Sequence, residues 1–291
     1  MTGESVGRSG VLSGKARIAG VMGWPVGHSR SPRLHGYWLR RYGVDGTYVP
    51  LAVRPEDTEA ALRALPKLGF AGCNLTVPHK EAALRVVDTV QPQARRIGAV
   101  NTVVVQADGS LHGSNTDAFG FLEHLRATAP GWAPADGPAV IVGAGGAARA
   151  ICAGLADAGV PEIRIANRTR ARAEALCDLA PGTAIAVDWS ERSDCLAGAA
   201  LLVNSSTLGM TGQPPLDLDL ADLPAGAVVD DIVYVPLETP LLAAARARGN
   251  AVVDGLGMLL HQARPGFAAW FGVEPDVDDG LRDFLLEDLK G

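Results

Sequence analysis

The chain has 291 residues, a net charge of −6 and 20 % charged residues, a size that suits two domains or one large one. The acidic balance and the lack of any long Lys or Arg run exclude nucleic acid or an anionic membrane as the main partner. No apolar stretch reaches the roughly 18–20 residues of a membrane span.

Glycine is in excess, at 35 residues. It shows no collagen-like period, so it must serve turns, close backbone approaches or linkers. The leading MTGESVGRSGVLSGKA has no apolar core. It reads as a floppy lead-in rather than a secretory signal. Cys73, Cys152, Cys177 and Cys195 are scattered with no C-x-x-C spacing, which predicts reduced core thiols in a cytoplasmic protein. The histidines show no H-E-x-x-H or similar spacing, and no metal is expected.

In chain order, apolar runs at 17–22, 47–53 and 70–75 predict strands. Helices are expected at 31–41, 55–65 and near 80–87. Such alternation favours a parallel sheet covered by helices. Residues 100–106 and 110–114, split by Asp108-Gly109, predict a hairpin, and a helix should begin near Asp117. The Pro- and Gly-rich stretch 129–138 is the clearest internal punctuation. Beyond it a second alternating series begins. Strands are expected at 139–142, 162–166, 184–187, 201–204, 228–231 and 251–253, and helices at 146–158, 170–178, 239–248, 256–270 and 280–289.

The first strand of that series runs into Gly143-Ala144-Gly145-Gly146-Ala147-Ala148, a G-x-G-x-x-A turn opening a helix. Gly143 suits the tight turn, Gly145 a close approach to a pyrophosphate, and Ala148 close helix–strand packing. The helix N-terminus offers unpaired N–H groups and a positive dipole end. Where an NAD enzyme places an acidic residue on the ribose, this chain reads Asn167-Arg168-Thr169-Arg170-Ala171-Arg172. Cations at a helix N-terminus oppose the macrodipole, so an anion is called for. Guanidinium matches phosphate bidentately, which points to NADP.

Three polar clusters mark the first half: 27–32 with Ser29 and Ser31, 74–81 with Asn74, Thr76 and Lys80, and 98–102 with 114–117, holding Asn101 and Asp117. They fall at predicted strand ends, where α/β sheets bind ligands. Taken singly, Ser29, Ser31 or Asp117 would serve equally well as a helix cap and Lys80 as a solvated lysine. Together they describe a nucleotide-binding α/β enzyme with a polar substrate.

The chain resembles the shikimate dehydrogenase family from about residue 18 to residue 271. The likeness is carried by G-W-P-V-G-H-S-R-S-P at 23–32, N-L-T-V-P-H-K at 74–80, G-A-V-N-T at 98–102 and N-T-D at 115–117. It continues with G-A-G-G-A at 143–147, N-R-T at 167–169, D-I-V-Y-x-P at 231–236 and G-L-G-M-L-x-x-Q at 255–262. The resemblance implies a catalytic pair, Lys80 and Asp117, and substrate contacts from Ser29, Ser31, Thr76, Asn101, Asp117, Tyr234 and Gln262. It assigns NADP to Gly143, Ala144, Gly145, Gly146, Ala147, Asn167, Arg168, Thr169 and Arg172, with Ile232 and Gly255 near the nicotinamide. It also implies an α/β fold of two domains: a discontinuous, smaller substrate domain with a mainly parallel sheet (1–116 plus 255–291) and an inserted Rossmann domain (117–254). The implied reaction is reversible NADPH-dependent reduction of 3-dehydroshikimate to shikimate, in the aromatic amino-acid pathway, by a monomer or homodimer.

Ala118, Ser114, His79 and Ile232 depart from residues frequent in the family. A quinate/shikimate dehydrogenase using NAD is the main alternative, and Arg168 and Arg172 argue against it. A non-catalytic relative would have lost Lys80 and Asp117, and a folate or aminoshikimate enzyme is a further rival.

Overall fold

A computed structural model describes residues 11–289; the lead-in expected at 1–10 lies outside the described residues. The chain divides into two compact units, Met1–Ser114 with Ala263–Gly291, and Asn115–Gln262.

The first unit begins with β1 (Arg17–Gly23), α1 (Ser31–Arg41), β2 (Gly46–Ala52), α2 (Thr58–Ala64) and β3 (Phe70–Leu75). It continues through α3 (His79–Ala82), β4 (Thr89–Val90), α4 (Pro92–Ile97), β5 (Thr102–Val105) and β6 (Leu111–Ser114). The six strands lie in the order β2-β1-β3-β5-β6-β4. β1 is central to a parallel trio with β2 and β3, and the β5–β6 hairpin joins it antiparallel to β3. Met22, Cys73, Leu75, Val100 and Val103 form the core on one face.

Sequence expectations differ here in three places. The helix expected at 55–65 opens as a tight 3-10 turn at Pro55–Asp57 before α2. The one expected near 80–87 is a single α-turn, α3, followed by a 3-10 turn at Ala83–Arg85. Finally, β4 and α4 were not foreseen. The sequence of α4, PQARRI, has too few apolar positions to show a helical stripe.

The second unit holds α5 (Asp117–Thr128), β7 (Ala139–Val142), α6 (Gly146–Ala158), β8 (Ile163–Ala166), α7 (Arg170–Cys177) and β9 (Ala184–Val187). After these come β10 (Leu201–Asn204), β11 (Val228–Asp231), α8 (Pro240–Ala247), β12 (Ala251–Asp254) and α9 (Gly255–Phe271). Its strand order, β12-β11-β10-β7-β8-β9 with every pair parallel, is the 3-2-1-4-5-6 order of a dinucleotide-binding sheet. Both faces are buried, as parallel sheets require. Ala139 and Ile141 of β7 face one core with Phe121 and Ile151. Val140 and Val142 face the other with Leu202, Val229 and Leu242.

The division between the units falls inside α9 rather than at its start. The last turns of α9, with α10 (Asp279–Leu289), belong to the first unit. Phe267 is buried there beside Trp38 and Trp270 beside His35 and Tyr48, and Trp270 Nε1 donates to the Val103 carbonyl at 3.0 Å. Gly72, at φ +151°, makes room for that contact, because a Cβ there would lie 2.0 Å from the Val103 oxygen. Cys73 and Cys152 are buried thiols as expected, whereas Cys177 and Cys195 are only partly buried.

Candidate active site

The glycine turn joins β7 to α6. Gly143 sits at φ +112°, and a Cβ on it would lie 2.8 Å from Ser205 Oγ, so both the backbone and the neighbouring loop require glycine. Gly145 and Gly146 are different: a Cβ at either would meet nothing within 4 Å. Their bare backbone borders open space at the first turn of α6, the place where a pyrophosphate is accommodated. Ala148 is fully buried against the sheet.

Past β8, Arg170 pairs with Glu174 at 2.9 Å and Asp188 at 2.7 Å. These partners hold its guanidinium even higher than usual in pKa, and they account for this cation at a helix start. Arg168 and Arg172 are exposed and have no ion-pair partner among the described residues. Asn167 Nδ2 donates to the Thr169 carbonyl at 2.8 Å, closing the loop. The donor set therefore fits the 2′-phosphate of NADP: two exposed guanidiniums, while the neighbouring acids Glu174 and Asp188 are taken up by Arg170.

At the carboxyl ends of β10 and β11, Asp231 accepts from Asn204 Nδ2 at 3.0 Å, the Val233 N–H at 3.1 Å and Thr239 Oγ1 at 2.7 Å. Burial pushes its carboxyl up to about 6, and these hydrogen bonds oppose the shift. Burial also holds Asp230 beside it well above the usual carboxylate range, with Asp231 and Asp254 adding repulsion. The network fixes the segment that carries Ile232 and Tyr234. Sequence reading missed Asn204 and Thr239, which lie far from Asp231 in sequence or outside the D-I-V-Y-x-P run.

The glycines that follow have packing reasons. A Cβ at Gly255 would lie 2.2 Å from the Ile232 carbonyl oxygen, and one at Gly257 would lie 2.0 Å from the His124 ring. Gly257 therefore makes room for His124. Gly120 of α5 meets the backbone of Gln262, whose Nε2 donates to the Leu259 carbonyl at 3.1 Å. Asp117 is the first residue of α5 and is buried. Thr116 occupies the cap position without a side-chain cap bond, so Asp117 is not the helix cap. Its N–H is held by Asn115 Oδ1 at 3.0 Å. Ala118, too, is buried and packs against Gly154 of α6, which suits a small side chain there.

In the first unit, the carboxyl ends of β1 and β3 adjoin, with the Thr76 N–H donating to the Met22 carbonyl at 3.0 Å. Ser29 and Ser31 precede and open α1. The cap position is Arg30, without a side-chain cap bond, so neither serine caps the helix. Ser29 Oγ accepts instead from the Ser31 N–H at 3.3 Å. Thr76 and Lys80 are half-buried, and the Lys80 carbonyl accepts from the Val100 N–H at 2.8 Å. That bond ties α3 to the 98–102 segment.

His79, fully buried next to Lys80, has Nε2 3.0 Å from the Val53 carbonyl and Nδ1 2.7 Å from the Thr58 hydroxyl. The carbonyl only accepts, so Nε2 carries the proton. Burial lowers the pKa of this histidine, against the Val53 contact. Asn101, buried, accepts at Oδ1 from Thr102 Oγ1 at 2.9 Å. Ser114 ends β6 opposite Thr102, and its carbonyl accepts from the Asn101 N–H at 3.0 Å.

Among the described residues no group of His, Cys, Asp and Glu is arranged to hold a metal, and no helix is long and apolar enough to cross a membrane.

Three family models match in chain order. They are the shikimate dehydrogenase substrate binding domain at 21–103, shikimate / quinate 5-dehydrogenase at 133–210, and the shikimate 5'-dehydrogenase C-terminal domain at 255–281. Shikimate dehydrogenase (NADP(+)) of Paramagnetospirillum magneticum is 66 % identical over 94 % of this chain and 100 % of its own length. The protein of the same name from Rhodospirillum rubrum is 63 % identical over 95 % and 99 %. Among solved structures, quinate dehydrogenase from Corynebacterium glutamicum in complex with NAD matches with TM-score 0.87 and 35 % identity, over 94 % of this chain and 99 % of that one. Shikimate 5-dehydrogenase from Thermus thermophilus in complex with NADP(H) and shikimate matches with TM-score 0.82 and 39 % identity, over 93 % and 99 %. The chain belongs to the shikimate dehydrogenase family.

Proposed function

We propose that this chain is an NADP-dependent shikimate dehydrogenase, interconverting 3-dehydroshikimate and shikimate in the cytoplasm as a monomer or homodimer. The unit built on the mixed sheet holds the substrate, and the unit built on the parallel sheet holds NADP. The observation that carries the reading is the glycine turn with open space at Gly145 and Gly146, followed past β8 by the uncommitted Arg168 and Arg172. The names of the relatives, shikimate dehydrogenase (NADP(+)), support the same cofactor and supply the substrate.

When bound, NADPH supplies a hydride to the ketone carbon. The backbone N–H groups of Gly145, Gly146 and Ala147 bind its pyrophosphate. Asn167, Arg168, Thr169 and Arg172 take the adenosine phosphate, while Ile232 and Gly255 border the nicotinamide. Ser29, Ser31, Thr76, Asn101, Tyr234 and Gln262 hold the substrate's carboxylate and hydroxyls. Lys80 gives its Nζ proton to the oxygen that gains charge, acting as general acid. In the reverse direction it takes that proton back. Asp117 accepts from a ring hydroxyl and orients it.

Replacing Lys80 with Ala tests this assignment. Turnover is expected to fall about a hundredfold or more while shikimate binding, followed by equilibrium titration, weakens little. Near-normal turnover in that variant removes Lys80 from its role.

A further inference from the structure

Beneath the carboxyl ends of β1 and β3 and the start of β5 lies a buried polar chain that links a residue outside the motifs above to residues inside them. Its starting point is Tyr48 of β2, only 6 % exposed. The Tyr48 hydroxyl donates to Asn74 Oδ1 at 2.6 Å. Asn74 Nδ2 donates in turn to the Asn101 carbonyl at 3.2 Å and to Thr102 Oγ1 at 3.1 Å. Thr102 Oγ1 then donates to Asn101 Oδ1 at 2.9 Å.

The direction of every bond follows from one anchor. A backbone carbonyl only accepts, so the Asn74 amide must turn its NH2 toward Asn101 and its oxygen toward Tyr48. The Tyr48 proton is then committed to Asn74. Thr102, which accepts from Asn74, spends its own proton on Asn101 Oδ1. The orientation of the Asn101 side-chain amide is thereby set, with its NH2 facing away from Thr102.

At the other end, the Ser31 side chain lies by the Tyr48 hydroxyl and opposes the rise in its pKa that burial causes. The phenol ring itself is clamped: the His35 imidazole stacks on it at 3.9 Å and 7°, and Trp270 packs at 5.9 Å. Buried networks satisfied at each member favour one geometry over alternatives.

We propose that Tyr48 is a positioning residue for the substrate. Through Asn74 and Thr102 it fixes which way the Asn101 amide faces, and it holds Ser31 from the other side. This inference rests on the reading of Ser31 and Asn101 as substrate contacts. Tyr48 itself touches no substrate.

The test is Tyr48→Phe, which keeps the ring and its stacking on His35 and removes only the hydroxyl. The KM for shikimate is expected to rise about 3- to 10-fold, the worth of a neutral hydrogen bond, with kcat within about twofold and the KM for NADP unchanged. In an Asn101→Ala background the same substitution is expected to add only the part of that rise that passes through Ser31, clearly less than in wild type, because the rest acts through the Asn101 amide. An unchanged shikimate KM in a variant that turns over normally overturns the proposal, as does a rise that is fully additive with Asn101→Ala. A variant with a lowered melting temperature and an unmoved KM assigns Tyr48 a structural role alone and also overturns it. Absence of wild-type shikimate turnover overturns the functional reading first, and the proposal with it.

Discussion

The Thr239 hydroxyl donates a 2.7 Å hydrogen bond to Asp231 Oδ2, with both side chains buried at the carboxyl end of β11. Thr239 is also the N-cap of α8, accepting from the Leu242 N–H at 3.3 Å. One hydroxyl therefore starts a helix and closes the loop that presents Ile232 and Tyr234. Thr239→Val removes both bonds and is expected to cost roughly 1–3 kcal/mol, measured by chemical denaturation. The same variant is expected to raise the pKa of Asp231, which loses a donor. Unaltered stability would show that neighbouring groups replace the hydroxyl.

His35 yields a pH prediction. Neither ring nitrogen has a hydrogen-bond partner among the described residues, and burial lowers its pKa from 6.5 to about 3, against an opposing influence of nearby Asn74. The folded state thus keeps His35 neutral where the unfolded chain protonates it. Its contribution is present above pH 6.5 and is lost as pH falls toward 3. Asp231 runs the other way: its carboxyl is raised from 3.8 to about 6, so its contribution is full below pH 3.8 and lost as pH rises through 6. The two slopes oppose each other in wild type. His35→Phe removes one of them, and the variant should gain on wild type by up to about 1.4 kcal/mol per pH unit between 6.5 and 3. Parallel urea titrations across that range check it. A pH-independent difference would mean that His35 does not titrate as described.

Cofactor choice rests on Arg168. Arg168→Ala is expected to raise the KM for NADP about 10- to 100-fold, the range of a charge-assisted contact, and to leave the KM for NAD within about twofold. Arg170→Ala provides the contrast, because that guanidinium is already held by Glu174 and Asp188. It should change cofactor discrimination little. Equal losses with both cofactors in Arg168→Ala would place the arginine away from the 2′-phosphate.

Trp270 tests why the end of α9 belongs with the first unit. Its ring is buried and its Nε1 is bonded to the Val103 carbonyl. Trp270→Ala is expected to cost about 3–5 kcal/mol, read from thermal or chemical unfolding. A loss under about 1 kcal/mol would mean that the contact holds little.

Most strands were legible because each is a short apolar run between Gly or Pro signals, and β7 followed by Gly143 is a pattern with few other uses. The segment from residue 83 to residue 97 was not. β4 is two residues long and α4 has two buried positions, Ala94 and Ile97, so neither has a period to detect. Single residues at the site were legible as motif members, but their partners were not. Tyr48 of β2 reaches Asn74 of β3 past the intervening β1, and Asn204 reaches Asp231 on the neighbouring strand, meetings that only the folded sheets create. The work of individual glycines also emerges only from the fold: Gly145 borders open space, while Gly257 makes room for His124.

The most direct measurement is the initial rate of NADP reduction, followed by absorbance, with shikimate and quinate side by side and each repeated with NAD. Rapid reduction of NADP by shikimate is expected, with quinate and NAD both far slower. A clear preference for NAD, or for quinate over shikimate, would contradict the account.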